Sequence, residues 1–142
     1  MATFQVVDEF ANFLGKKRDD LSADTIKAAL CLTAPTKAGT QVLADVTQIA
    51  ATGGYAVVTL SSVTWAETGA GTGIWQFSSA AFSWTASGAD FASARYVVIY
   101  DDTSTNKDVI GFLDYGASFT VTNGNSLTVT PGANGIFRMT VS

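Results

Sequence analysis

Arg95-Tyr96-Val97-Val98-Ile99-Tyr100 is followed, after the polar stretch Asp101–Asp108, by Val109-Ile110-Gly111-Phe112-Leu113. The first run is β-branched and aromatic throughout, which reads as a buried strand. The second has the same character and reads as the next strand. Working outward, the same signal recurs. Ile26, Ala28, Leu30 and Leu32 alternate with Thr25, Lys27, Ala29 and Cys31 until Pro35. This period of two places successive side chains on opposite faces of a strand. After the turn signal Gly53-Gly54 come further short candidates at Tyr55–Leu60, Ser62–Trp65, Ile74–Phe77 and Ala81–Trp84, the last two expected to form a hairpin or bulged pair. Ser118–Val121 and Ser126–Thr130 flank Asn123-Gly124, a dipeptide that accepts positive φ at both central positions of a tight hairpin turn. Ile136–Val141 closes the chain. Short strands separated by turn signals, with no strand–helix–strand rhythm, predict an all-β antiparallel β-sandwich.

One helix is expected. Val6, Val7, Phe10, Phe13 and Leu14 recur at helical spacing, Gly15 offers a left-handed stop, and Lys16-Lys17-Arg18 would sit solvated at the negative end of the helix dipole. A helix this short is marginal alone in water, so its Phe-rich face must lie on the β body or on a neighbouring subunit. The 142 residues are expected to form a single domain, 1–142, with an N-terminal helix or arm at 1–20 and a β body at 21–142. Thr36–Ala51 reads equally as a short helix through Val42, Val46 and Ile49 or as an extended connection.

Composition excludes several functions. Eight Lys and Arg residues against twelve Asp and Glu give a net charge of −4, and no basic patch exists to neutralise phosphates. Nucleic acid is therefore not an expected partner. No run approaches the roughly 18 apolar residues of a membrane span, so no membrane partner is expected. Met1-Ala2-Thr3-Phe4 lacks a basic segment followed by an apolar core, so no secretory signal is expected. Charged residues are only 14 % of the chain, and a surface that poor in charge suits contact with other proteins.

Catalytic chemistry finds few candidates. The chain has no histidine, which removes Ser-His-Asp and Cys-His nucleophiles and histidine metal sites together. Its one cysteine, Cys31, lies in an apolar run and reads as packing. Asp101, Asp102, Asn106 and Asp108 offer oxygen donors, but their spacing departs from a calcium loop, and a solvated hairpin loop is expected. Nothing sets Asp101, Asp114 or Glu67 across a cleft as a glycosidase pair. Gly69–Gly73 precedes no helix and reads as a flexible loop. Trp65, Trp75 and Trp84 read as core residues, with sugar stacking as the alternative. No catalytic residue, cofactor or metal ligand is expected.

Taken in order, several segments carry a family likeness. They are Asp24-Thr25-Ile26-Lys27-Ala28-Ala29-Leu30, Ala44-Asp45-Val46-Thr47-Gln48-Ile49, Gly53-Gly54-Tyr55, Trp84-Thr85-Ala86-Ser87-Gly88, Ala94–Asp102, Ile110–Gly116 and Gly135-Ile136-Phe137. After an aromatic N-terminal helix, this order resembles small virion structural proteins of tailed bacteriophages, many of them head decoration (cement) proteins. The resemblance implies a non-enzymatic, jelly-roll-like sandwich. It implies a chain made in the host bacterial cytoplasm and placed on the capsid surface of the virion. There it would bind the major capsid protein and copies of itself, as a homo-oligomer (dimer or trimer). A tail, baseplate or fibre-associated subunit is the nearest alternative. Phe4, Val7, Phe10 and Leu14 are the expected anchors, either between subunits or onto the β body.

Overall fold

The computed structural model describes residues 3–141; Met1, Ala2 and Ser142 lie outside the described residues, and with them half of the N-terminal tetrapeptide read above. The chain is all-β and antiparallel with one short helix, as its periodicity leads one to expect. The main sheet has the order β1-β8-β7-β2-β3. Its strands are β1 (Phe4–Val6), β2 (Ile26–Cys31), β3 (Val58–Thr59), β7 (Ala94–Asp101) and β8 (Val109–Phe119). A three-stranded sheet, β10-β5-β4, joins β4 (Thr64–Glu67), β5 (Ile74–Ser78) and β10 (Phe137–Thr140). A two-stranded ribbon pairs β6 (Phe82–Thr85) with β9 (Ser126–Val129). The sandwich is thus uneven, divided five, three and two, where a jelly roll has two sheets of similar size.

The opening run is the centre of the fold. Val97, Val98 and Ile99 of β7 are fully buried, so the strand is covered on both faces. That explains why its sequence is continuously apolar instead of alternating. Register puts Leu30, Val97 and Leu113 on one face and Ala29, Val98 and Phe112 on the other. Beyond the short β3 pairing, the Tyr55 hydroxyl accepts the Leu30 amide of β2 at 2.9 Å and lies 2.9 Å from Gln48 Oε1. Burial pushes this phenol up to about 12. Thr36–Ala51 is mostly extended, with a single 3-10 turn at Leu43–Asp45.

Four local expectations are corrected. The N-terminal helix is α1 (Phe10–Gly15) alone; Phe4–Val6 is a strand. The reason is an open backbone edge on β8, where Leu113–Gly111 pair with Phe4–Val6 and Val7 N–H donates to Ile110 O at 3.1 Å. Those backbone groups must be satisfied, and this outweighs weak helix propensity. Gly15 is also not the stop. It remains helical, and Lys17 takes the left-handed conformation at φ 55°. Arg18 N–H then bonds Phe13 O at 2.9 Å and Lys17 N–H bonds Leu14 O at 3.1 Å, the two bonds of a Schellman cap.

The other corrections concern pairing. Ile74–Phe77 and Ala81–Trp84 do not form a hairpin, because β5 already has β4 on one side and β10 on the other. Asn123-Gly124 does turn the chain, with Gly124 at φ 87°, but its flanks do not pair with each other. β8 continues to Phe119 against Ala94, and β9 pairs with β6 instead.

β1 reaches β8 only because position 111 has no side chain. A Cβ there would collide with Gln5 O and stand 2.6 Å from the Phe4 ring. Gly111→Ala is expected to lose roughly 1–3 kcal/mol of stability through this overpacking, read by urea unfolding.

Candidate assembly surface

The four residues expected to anchor assembly are placed on the chain's own body. Val7 and Phe10 are buried, at 1 % and 3 % exposure. Phe4 is half-buried and stacks on Phe137 with centroids 5.9 Å apart. Phe10 meets the same Phe137 ring edge-on at 5.8 Å. Leu14 is half-buried in a crevice it shares with Leu21 and Trp65. Of the two roles weighed for these side chains, packing onto the β body is what the geometry gives. Residues 3–20 are accordingly part of the sandwich and not a detached arm.

Among the described residues, three of the five exposed large apolar side chains, Trp75, Met139 and Val141, lie on or beside the three-stranded sheet. Register places Trp65, Glu67, Trp75, Phe77, Phe137 and Met139 on one face of β4, β5 and β10. The inner part of this face is sealed: Phe77 is fully buried and contacts Phe137 at 5.4 Å. The outer part stays open. Trp75 is 36 % exposed, Met139 40 % and Val141 63 %. Trp75 and Met139 are register partners, and Trp65 stacks on Trp75 at 6.0 Å with planes 23° apart. The one charged side chain on this face, Glu67, accepts the amides of Gly71 and Gly73 and so orders the loop after β4. The opposite face is polar, with Arg138 Nε bonded to Gln76 Oε1 at 2.8 Å. β4 and β10 are both edge strands of their sheet. Leu32 and Tyr115, also exposed, stand on the main sheet's side of the molecule.

The remaining sequence candidates sort clearly. Trp84 is core, 3 % exposed and edge-on to Phe82; Trp65 and Trp75 are not fully buried. Cys31 is buried and its thiol is pushed up to about 12, which suits packing and not nucleophilic attack. Asp114 is held bidentately by Arg95 at 2.7 and 3.0 Å, and that guanidinium lowers its pKa. Asp101, Asp114 and Glu67 are thus engaged in three separate local tasks. Burial and pairing refine two expectations. The 102–108 loop is the tip of the β7–β8 hairpin with Thr103, Thr105 and Asn106 exposed, as expected, but Asp101 and Asp108 at its base are fully buried. The helix end at Lys16–Arg18 is exposed as expected, but Arg18 is also engaged, lying over the Phe13 ring at 4.4 Å and pairing with Asp108 at 2.6 Å. No group of three acidic or sulfur side chains among the described residues is disposed to hold a metal ion. No helix among them is long and apolar enough to cross a membrane.

No family model, curated protein or solved structure gives a significant match to this chain.

Phe10 and Trp75 separate core from surface. Phe10→Ala is expected to cost about 3–5 kcal/mol in urea unfolding, as for a buried aromatic. Trp75→Ala, which loses one stacked pair and partial burial, is expected to cost about 1–2 kcal/mol.

Proposed function

We propose that this chain is a non-enzymatic structural subunit of a tailed-bacteriophage virion, most simply a head decoration (cement) protein. It would bind the major capsid protein and copies of itself on the outer face of the capsid, as a dimer or trimer. The observation that carries this reading is the apolar margin of Trp75, Met139 and Val141, bordered by one carboxylate, Glu67, that is engaged by the amides of its own loop. Charged side chains are depleted at interface cores while Trp and Met are enriched there, and this margin has that character. Contacts of modest individual strength, repeated over a symmetric shell, add through avidity. The net charge of −4 suits a surface facing away from packaged DNA. The segment order described above supplies the virion context; a tail, baseplate or fibre position would use the same margin.

The reading is tested by adding purified protein to phage particles stripped of their decoration proteins and measuring saturable binding by sedimentation. The natural chain is expected to bind. Trp75→Ser with Met139→Ser is expected to stay folded and to lose at least tenfold in affinity. Equal binding by both would refute the role of the margin, and no binding by either would refute the capsid reading.

One observation favours a second reading. Trp65 and Trp75 stack as a partly exposed aromatic platform, which suits the apolar face of a sugar ring. If the chain is a carbohydrate-binding module, tryptophan fluorescence will shift on titration with polysaccharide and Trp75→Ala will abolish the shift. The assembly reading expects no shift.

A further inference from the structure

Asp19 lies in the link between α1 and β2, and Asp101 and Asp108 flank the β7–β8 turn. All three carboxylates are buried, at 5 %, 0 % and 0 % exposure. Asp101 Oδ1 accepts the amides of Thr103 at 2.8 Å and Ser104 at 3.2 Å. Asp108 Oδ1 takes Arg18 at 2.6 Å. Four oxygens are left with no partner: both of Asp19, and Oδ2 of Asp101 and of Asp108. Fully ionised, the cluster would hold three negative charges against the one guanidinium of Arg18. Buried carboxylates without compensation are strongly disfavoured, and such a group takes up a proton instead.

The surroundings supply little other positive charge. On the link, Lys17 shares the crevice beside Asp19, and Asp20 and Asp24 add negative charge. On the turn, Lys107 is spent on Asp102 at 2.9 Å, and Lys27 of β2 pairs with the same Asp102 at 2.7 Å. Among the described residues no three acidic side chains are disposed as a metal site.

We propose that Asp19 and Asp101 are protonated near neutral pH and share their protons with one another and with Asp108, forming a pH-sensitive latch that fastens the α1–β2 link to the β7–β8 turn. A protonated carboxyl donates, so each shared proton satisfies two of the orphaned oxygens at once. Together with the Arg18–Asp108 pair, these bonds close the N-terminal segment onto the main sheet. Burial first, then the charges of Asp108 and Asp101, raises Asp19 from 3.8 to about 8. Burial, then Asp24, raises Asp101 to about 7. Carboxyls raised in the folded state bind protons that the unfolded chain releases. Their stabilisation is complete below the unfolded value near 3.8 and is lost as pH climbs through about 7 to 8. The latch therefore loosens in mild alkali.

The test is thermal unfolding from pH 5 to 8.5 of the natural chain and of Asp19→Asn, whose amide donates permanently in the same shape. The natural chain is expected to melt progressively lower across this range, and the variant to lose at least half of that decline. In the natural chain alone, unfolding at pH 6 is expected to release about two protons per molecule, which needs no variant to fold. A flat melting profile with no proton release overturns the proposal. So does an undiminished decline in the variant. A melting temperature at pH 8.5 that calcium restores and a chelator removes would show a bound cation instead of shared protons, and would overturn it equally.

Discussion

Phe137 is the contact on which the sandwich depends. Its ring stands within 6.0 Å of four others, each from a different element: Phe4 of β1, Phe10 of α1, Trp65 of β4 and Phe77 of β5. The small sheet and the N-terminal segment share no backbone pairing, so side-chain packing around this ring is what joins them. The geometry is mixed, one near-parallel pair, one edge-on pair and two tilted ones, in keeping with the offsets that aromatic quadrupoles favour. Five of the chain's 16 aromatic rings meet at this point, and their packing closes the small sheet onto the N-terminal segment.

That arrangement decides what is left for partners. Because Phe4, Val7 and Phe10 cover the inner half of the small sheet and the edge of β8, the N-terminal segment is consumed by the fold. The same face continues outward to Trp75 and Met139, where no element of the chain reaches it. The apolar margin therefore belongs to an uneven sandwich, in which a three-stranded sheet of short strands is set against a larger five-stranded one. A binding surface built on paired strands is rigid, and little conformational entropy is lost when a partner covers it.

Strands with a strong local signal were legible in the sequence. Val97–Ile99 and Ile26–Cys31 read correctly because burial on both faces, or strict alternation, leaves its mark in residue type. Pairing was less legible. Asn123-Gly124 announces a turn, yet which strands flank it as partners depends on Phe119 already being matched to Ala94 far away in sequence. Phe4–Val6 looked helical because Val6, Val7, Phe10 and Phe13 fit that period, and only the open edge of β8 makes the strand. The acidic cluster was half visible. Asp101 and Asp108 were noted as oxygen donors, but Asp19 joins them only through the left-handed turn at Lys17 and the reach of Arg18, neither of which has a sequence signature. Trp65 and Trp75 read as core from their spacing, yet they stay partly exposed, because they stack on one another on the outer part of the small sheet's face.

Amide hydrogen exchange on the isolated chain tests most directly whether the N-terminal segment is a working part of the sandwich. The Val7 amide, bonded to Ile110 O, is expected to be protected as strongly as those of Val97, Val98 and Ile99, opening only when the whole molecule unfolds. Exchange of Val7 at the rate of the exposed turn, while β7 stays protected, would contradict the account and return this segment to the role of a free arm.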